Sequence, residues 1–152
     1  MEYRQQTVTR QYLQQSNLEN MAAVTLSLKQ RAFGEKLDSI KASQNMRHFL
    51  NLLNKKVFGN SATRQGVKVE VIPVLETSIG GRLHYHLAIE NPQPEQPFWF
   101  EIQIEKLWKK TRWGYSENNI QHGADAGWVN YITKLGPYDE VDWENLHRVR
   151  RV

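Results

Sequence analysis

The sequence predicts an α+β domain built on an antiparallel sheet with helices on one face. Stretches that alternate apolar and polar residues, as half-buried strands do, are interspersed with stretches of helical periodicity. Their order is β-α-β-β-α-β, followed by a further helix. The chain of 152 residues is long enough for one hydrophobic core, and no repeat or linker divides it. We therefore expect a ferredoxin-like, or split βαβ, arrangement over a single domain of residues 1–152.

The composition indicates a packed, soluble and intracellular protein. Hydrophobic residues make up 39% of the chain and aromatic residues 11%, which argues against disorder. The chain lacks the apolar region of a signal peptide and any apolar run near the ~20 residues of a membrane span, so we expect a cytoplasmic protein without membrane contact. Cysteine is absent, so any metal would be bound by histidine and carboxylate. The net charge of +4 favours a polyanionic partner.

The N-terminal part of the chain consists of a polar segment followed by the first strand. Residues 1–20 are rich in glutamine, which predicts an arm or a short helix outside the core. Residues 22–29 alternate apolar residues with polar ones, the period-two pattern of a half-buried strand. The polar face of this strand presents Thr25, Ser27 and Lys29 together.

The first helix is predicted over residues 43–58. Apolar residues recur along this segment at helical spacing, so that Met46, Leu50 and Leu53 lie on one face. Gly59 follows at a position where glycine often terminates a helix. A β-hairpin is predicted next.

The predicted hairpin joins a strand over residues 67–77 to a strand over residues 82–90. The first strand is rich in valine and isoleucine, and Gly80-Gly81 is a turn signal between the two. Pro73 within the first strand predicts a bulge or an unpaired amide there.

The C-terminal half contains two further helices and a weak strand. Residues 97–110 predict a helix with proline at its start, and residues 113–121 predict the strand. Residues 126–135 predict the last helix, which Asp125 caps. Residues 137–152 form a basic tail whose spaced apolar residues are consistent with a short packed helix.

Two histidines lie one residue apart in the strand over residues 82–90. Because side chains on a strand alternate between its faces, His84 and His86 point the same way and can share a metal ion. Such pairs also occur as ordinary structural histidines. Evidence for a metal site therefore has to come from the residues near the pair. Glu90 shares the same face, but it lies roughly 20 Å from His84 along the strand, too far to bind the same ion.

The length of the hairpin loop decides whether a carboxylate joins the histidines. With a three-residue loop over residues 79–81, Glu76 pairs with His84 on the same face. With a two-residue loop at Gly80-Gly81, Glu76 would pair with Tyr85 and its carboxylate would face away. Two imidazoles and one carboxylate favour Mn²⁺ or Mg²⁺ in a phosphate-handling enzyme and also accommodate Co²⁺, Ni²⁺ or Zn²⁺.

The last predicted helix places a tyrosine and a lysine on one side. Tyr131 lies at the edge of the apolar stripe, and Lys134 lies about 60° further round on the polar side. A tyrosine next to a cation and a metal can attack a phosphodiester as its phenolate. A structural tyrosine at the rim of the core is the alternative.

Three motifs stand in the order in which HUH endonucleases carry theirs: residues 24–28, His84-Tyr85-His86 and residues 131–134. Over residues 22–136 the chain resembles the nicking domain of single-tyrosine rolling-circle replication initiators from phages, plasmids and single-stranded DNA viruses. The resemblance implies that the protein cleaves single-stranded or hairpin origin DNA through a 5′-phosphotyrosine link. It also implies a free 3′-hydroxyl that primes synthesis, and later rejoining of the strand.

The resemblance also implies a role for each residue of the site. Glu76, His84 and His86 would bind a divalent metal, with Mn or Mg expected. Tyr131 would be the nucleophile, and Lys134 would position or neutralise charge. The expected setting is the cytoplasm of a bacterial host of a phage or plasmid, with the host helicase and polymerase as partners.

Three further residues, Tyr85, Tyr138 and His122, bear on how well the chain fits the family pattern. Tyr85 stands at the hydrophobic position of the histidine motif, so its hydroxyl needs a partner if it is buried. Tyr138 follows Gly136-Pro137, so a two-tyrosine mechanism is not expected. His122 would be a fourth ligand only if its strand were next to the histidine strand, and an ordinary surface histidine is the alternative.

Several basic residues are candidates for phosphate contacts. They are Lys29, Arg82, Lys109, Lys110 and Arg112.

A single-tyrosine transposase or relaxase with the same chemistry is one alternative function. A non-catalytic single-stranded nucleic-acid-binding module is another, and it would be expected to expose aromatic residues on its sheet face.

Overall fold

The structure is a computed structural model that describes residues 20–148. Nearly all of the predicted N-terminal arm and the end of the basic tail lie outside the described residues. The elements follow in the order β1 (Met21–Ser27), β2 (Arg31–Ala32), β3 (Glu35–Lys36), α1 (Ser39–Phe58), α2 (Asn60–Arg64), β4 (Val71–Thr77), β5 (Leu83–Glu90), α3 (Pro97–Lys109), β6 (Asn119–His122), α4 (Ala126–Ile132) and β7 (Glu140–Val141).

The main sheet has five strands in the order β6-β1-β5-β4-β7, and all paired strands run antiparallel. This confirms the predicted α+β fold with an antiparallel sheet. The register of β1 against β5 sets Thr25 opposite His86 and Ser27 opposite His84. The histidine strand is therefore central in the sheet, with β1 on one side and β4 on the other.

The two long helices cover one face of the sheet, as predicted. In the core between them, the rings of Phe49 on α1 and Trp108 on α3 meet edge to face at 5.3 Å. Both side chains are fully buried, and each burial contributes about 1.5–3 kcal/mol to stability. No helix within residues 20–148 combines the length and the apolar character that crossing a membrane requires.

The helix α4 packs on the opposite face of the sheet. Val129 and Ile132 are buried there in a second apolar cluster with Ile72 and Ala88. The sequence predicted this helix but not its face. Its position matters because Glu76 and the two histidines occupy the same face.

Several predicted boundaries shift because side chains bind the backbone. Helix α1 begins at Ser39 rather than at residue 43, because the side chain of Asp38 caps it by accepting from the amide of Lys41 at 2.8 Å. Strand β4 begins at Val71 rather than at residue 67. The amide of Val69 donates instead to the side-chain oxygen of Asn54 at 2.8 Å.

The predicted weak strand over residues 113–121 is the short β6, Asn119–His122. The amide of Trp113 donates to the side-chain oxygen of Asn45 on α1 at 2.9 Å. Residues 113–115 still meet the end of the first strand, through the bridge of Gly114 with Leu28 and the bond from the amide of Tyr115 to the carbonyl of Ser27 at 3.1 Å. Helix α4 ends at Ile132, three residues before the predicted end at residue 135. The hydroxyl of Thr133 donates to the carbonyl of Val129 at 2.6 Å and closes the last turn.

The predicted short helix in the C-terminal tail is wrong for the described residues. The chain instead forms β7 along β4, and the amide of Asp142 donates to the carbonyl of Pro73 at 2.9 Å. Pro73 causes no bulge, because the register of β4 against β5 runs without a break from Val71 to Thr77. The edge of β4 at Pro73 faces the short β7, so the missing amide does not interrupt the β4–β5 ladder.

Candidate functional site

The β4–β5 hairpin has the three-residue loop on which the predicted site depends. The amide of Ser78 donates to the carbonyl of Arg82 at 2.9 Å, and Glu76 lies opposite His84. The two glycines of the loop adopt φ angles of 96° and 83°, which a residue with a side chain would adopt at a cost. The chain therefore turns where the sequence predicted, and the two-residue alternative is excluded.

Glu76, His84 and His86 form a tight group, named here the Glu-His-His cluster. Oε1 of Glu76 lies 3.2 Å from Nε2 of His84, and Oε2 lies 2.8 Å from Nε2 of His86. One ligand atom from each residue lies within 4.8 Å of the others. Two nitrogens and one carboxylate that converge in this way fit a divalent cation and leave coordination positions open for substrate.

His86 is held from the neighbouring strand. Oγ1 of Thr25 lies 3.0 Å from Nδ1 of His86, which leaves Nε2 to face Glu76. A hydroxyl can both donate and accept, so this contact persists whichever ring nitrogen carries the proton. Burial lowers the pKa of His86, and His84 lowers it further, although Glu76 opposes both effects. A lowered pKa favours the neutral imidazole, which is the form that binds a metal.

Tyr131 lies beside the Glu-His-His cluster. Its ring centroid is 6.2 Å from that of His86, and its side chain is 62% exposed. Trp128 stacks on Tyr131 with ring centroids 5.7 Å apart, and its indole nitrogen donates to the carbonyl of Leu87 at 2.8 Å. The helix α4 is thus fixed to the histidine strand, and its tyrosine is presented to solvent next to the histidines.

Lys134 follows the helix instead of lying on it, because α4 ends at Ile132. Its amide donates to the carbonyl of Tyr131 at 3.3 Å, and its side chain is exposed. Its assignment as a charge-neutralising residue remains a prediction.

His122 and Glu90 lie away from the cluster. Strand β6 pairs with β1 rather than with β5, and His122 lies opposite Ala22 on the face that α1 and α3 cover. Nε2 of His122 is 3.3 Å from a carboxylate oxygen of Glu101 on α3. Glu90 pairs with Met21 at the far end of β5, as expected. Neither residue can be a ligand of the same ion.

Tyr85 has the hydroxyl partner that its burial requires. Its hydroxyl donates to Oδ2 of Asp142 at 2.7 Å, and Asp142 also accepts from Asn145 and Ser43. Burial and the carboxylate of Asp142 raise the pKa of Tyr85 well above its ordinary value. The sequence could not identify this partner, because it lies 57 residues further along the chain.

The structure brings two of the predicted phosphate contacts together. The guanidinium carbon of Arg112 lies 4.2 Å from the ring centroid of Phe33, and Nζ of Lys29 lies 5.6 Å from it. Arg82 is exposed at the hairpin loop, and Lys109 and Lys110 are exposed at the end of α3. Phe33 was not among the predicted contact residues, although Gly34 beside it is a turn signal for the β2–β3 hairpin.

The fold and the site define a class of protein: an α+β domain whose sheet presents a carboxylate and two imidazoles next to an exposed tyrosine. The ORF2 family of replication-associated proteins matches residues 21–135, and the chain belongs to this family. The matched span contains Thr25, the Glu-His-His cluster and Tyr131. Membership confirms, at the level of the family, the resemblance to replication initiators and indicates a role in DNA replication. No curated protein and no solved structure matches the chain.

Proposed function

We propose that this protein is a metal-dependent, site-specific single-stranded DNA endonuclease and strand transferase that nicks a replication origin to start rolling-circle replication. One observation carries the proposal: the exposed ring of Tyr131 lies 6.2 Å from the ring of His86, within the Glu-His-His cluster. A candidate nucleophile and a candidate set of metal ligands are thus adjacent on one face of the sheet. Membership of a replication-associated family supports DNA as the substrate class.

The Glu-His-His cluster would hold the divalent cation, with Mn²⁺ or Mg²⁺ expected from the mixed nitrogen and oxygen donors. When bound, the cation offsets negative charge on the phosphate that is attacked. The hydroxyl of Thr25 orients the imidazole of His86 from the adjacent strand.

Tyr131 would carry out the covalent step. Its phenolic oxygen forms a bond to phosphorus while the bond between phosphorus and the 3′-oxygen breaks. The phenolic proton passes to water, and the 3′-oxygen takes a proton to become a free hydroxyl. The 5′ side of the break is then linked to Tyr131 as a phosphotyrosine ester. Attack by a 3′-hydroxyl reverses the step, rejoins a strand and frees the tyrosine.

The surroundings of Tyr131 suit this role. Stacking on Trp128 restricts the ring, and the anchored indole of Trp128 ties the ring to the histidine strand. The exposed side chain leaves room for a DNA strand to approach. Positioning of this kind supplies a large part of the rate of enzymatic phosphoryl transfer.

Two alternatives receive less support. A non-catalytic binding module would be expected to carry stacking aromatics on the sheet face, where this chain carries the Glu-His-His cluster. A transposase or relaxase would use the same chemistry, and membership of a replication-associated family favours the initiator. Host helicase and polymerase would then act on the nicked origin.

The test is to incubate the protein with Mn²⁺ and a mixed pool of labelled single-stranded oligonucleotides that includes hairpins. We expect a product that resists denaturation, maps to Tyr131 by mass spectrometry and disappears with a chelator. Tyr131→Phe should bind the same DNA without forming the product. Tyr138→Phe is the matched control, since Tyr138 is also exposed, at 76%, on the loop after α4. An adduct that persists in Tyr131→Phe and disappears in Tyr138→Phe would refute the assignment.

A further inference from the structure

The β2–β3 hairpin carries an exposed aromatic side chain at its turn. Phe33 is 62% exposed and has a φ of 55°, in the left-handed region. Bulky residues rarely adopt this conformation, whereas glycine and asparagine adopt it at lower cost. Neither burial nor backbone preference therefore explains a phenylalanine at this position. An unfavourable residue in an exposed turn points to a function rather than to stability.

The surroundings of Phe33 combine an aromatic surface with positive charge. The guanidinium carbon of Arg112 lies 4.2 Å from its ring centroid, and Nζ of Lys29 lies 5.6 Å from it. Arg112 is held in turn by a carboxylate oxygen of Glu35 at 3.2 Å. The ring of Trp113 meets Phe33 edge to face at 6.2 Å. An exposed ring bordered by cations is the arrangement by which proteins bind an unpaired base and its phosphates.

This aromatic surface lies at the end of the sheet that carries the Glu-His-His cluster. The side chain of Gln30 binds both backbone groups of Leu83, donating to its carbonyl and accepting from its amide, each at 2.9 Å. Leu83 immediately precedes His84 in β5. Phe33 lies three residues beyond Gln30, so the chain between them spans at most about 11 Å. The contacts of Gln30 therefore keep the aromatic surface near the end of β5 that carries His84.

We propose that Phe33 stacks on an unpaired base of the bound DNA strand, close to the phosphate that Tyr131 attacks, while Lys29 and Arg112 contact its phosphates. The inference rests on the proposed function and adds to it a binding residue outside the Glu-His-His cluster. Because every base has a π-face, the contact holds the strand in place without reading its sequence.

The first test measures the affinity of the full chain for a fluorescein-labelled, mixed-sequence single-stranded oligonucleotide. Phe33→Asn removes the ring and suits the left-handed backbone, so the hairpin keeps its conformation. We expect it to weaken binding by about 5- to 150-fold, the range found when stacking aromatics are removed. Phe33→Tyr should bind as the parent does. Phe98→Asn is the matched control, because Phe98 is 78% exposed in the first turn of α3, beyond the opposite end of β5.

A second measurement locates the contact on the DNA. Oligonucleotides with 2-aminopurine at successive positions report stacking as a loss of fluorescence. We expect quenching near the cleaved position in the parent and recovery in Phe33→Asn. Lys29→Gln and Arg112→Gln should each reduce the slope of log affinity against log salt by about 0.7, the value for one phosphate contact on a single strand.

The outcomes separate this inference from the proposed function. If Phe33→Asn binds DNA as tightly as the parent, the stacking role is overturned, even when the Tyr131 adduct forms normally. If Phe33→Asn melts at a lower temperature than the parent and its affinity is unchanged, the ring is structural and the inference is also overturned. If affinity depends on Phe33 but the parent forms no adduct, the stacking surface stands and the endonuclease assignment fails.

Discussion

Oγ1 of Thr25 lies 3.0 Å from Nδ1 of His86, across the pair of strands β1 and β5. One nitrogen of the imidazole is thus engaged by β1, and the other faces the carboxylate of Glu76 at 2.8 Å. The first sequence motif and the histidine motif meet at this contact. If the Glu-His-His cluster binds a metal, as we propose, the first motif orients one of its ligands.

Thr25→Val tests this role, because it removes the hydroxyl and preserves the shape of the side chain. We expect the affinity for Mn²⁺, measured by isothermal titration calorimetry, to fall by about 10- to 100-fold, the usual cost of losing a residue that orients a metal ligand. Thr77→Val is the control, since the hydroxyl of Thr77 binds the carbonyl of Tyr138 instead of a histidine. Equal loss of affinity in both variants would show that the effect is not specific to the contact with His86.

Glu76→Gln should reduce Mn²⁺ binding by at least about tenfold and abolish the covalent adduct. The change keeps the size of the side chain but removes the negative charge on which the two imidazoles converge. The adduct yield on a denaturing gel, measured with increasing Mn²⁺, reports both effects. Glu90→Gln is the matched control, because Glu90 occupies the same strand face as the histidines at the far end of β5. If Glu90→Gln lost as much activity as Glu76→Gln, the cluster could not be the metal site.

Tyr85→Phe should affect stability without affecting the site. It removes the hydroxyl that donates to Asp142 at 2.7 Å and leaves a buried carboxylate with one donor fewer. We expect the free energy of unfolding, measured in urea, to fall by about 1–3 kcal/mol, while Mn²⁺ affinity remains that of the parent. Tyr138→Phe should not change stability, because Tyr138 is exposed. Unchanged stability of Tyr85→Phe would mean that this hydrogen bond makes no net contribution.

His147 gives the free energy of unfolding a dependence on pH. Burial is the main cause of its lowered pKa in the folded protein. The charge of Lys68 lowers the pKa further, whereas the charges of Glu70 and Glu90 raise it. The unfolded chain takes up the proton near pH 6.5 and the folded chain only at lower pH, so the unfolded state binds more protons between these values. Stability should therefore fall as the pH drops below about 6.5 and level off below the folded pKa.

His147→Gln isolates this contribution from those of the other titrating groups. The variant removes the imidazole, and the backbone hydrogen bonds between this residue and Val71 remain available. Urea unfolding at pH 7.5 and at pH 5 should show a smaller loss of stability in the variant than in the parent. A loss of the same size in both proteins would contradict the assigned role of His147.

Local sequence patterns were sufficient to predict the histidine hairpin. Alternation determines which residues of β5 share a face, and the two glycines locate the turn. The glycines left the length of the loop open, so the pairing of Glu76 with His84 was decided by the structure. The long helices were also predictable. Their periodicity is local, and side-chain caps shifted only their ends.

Features that depend on distant residues could not be predicted. Apolar periodicity shows that α4 has a buried side, but it does not say which sheet face receives it. Strand β7 is two residues long and follows from its pairing with β4, so its own sequence carries no signal. The contact of Phe33 with Arg112 could not be predicted either, because the fold brings the two distant residues together.

Trp128→Phe should slow adduct formation without changing Mn²⁺ affinity. Trp128 contacts Tyr131 by stacking and His86 edge to face, and its indole nitrogen is anchored to the carbonyl of Leu87. The variant keeps an aromatic ring but loses the anchor, so Tyr131 gains freedom relative to the histidine strand. Since small misplacement of a reacting group costs up to about 100-fold in rate, we expect single-turnover adduct formation to slow by about 10- to 100-fold.

Trp143→Phe is the control for this prediction, because Trp143 is also partly exposed, at 52%, but follows β7 away from Tyr131. It should form the adduct at the parent rate. If Trp128 had only a structural role, Trp128→Phe would lower the melting temperature and leave the rate per folded molecule unchanged. A slower single-turnover rate with parental Mn²⁺ affinity and parental DNA affinity is expected only if Trp128 positions the nucleophile, since neither the metal ligands nor the DNA contacts are altered.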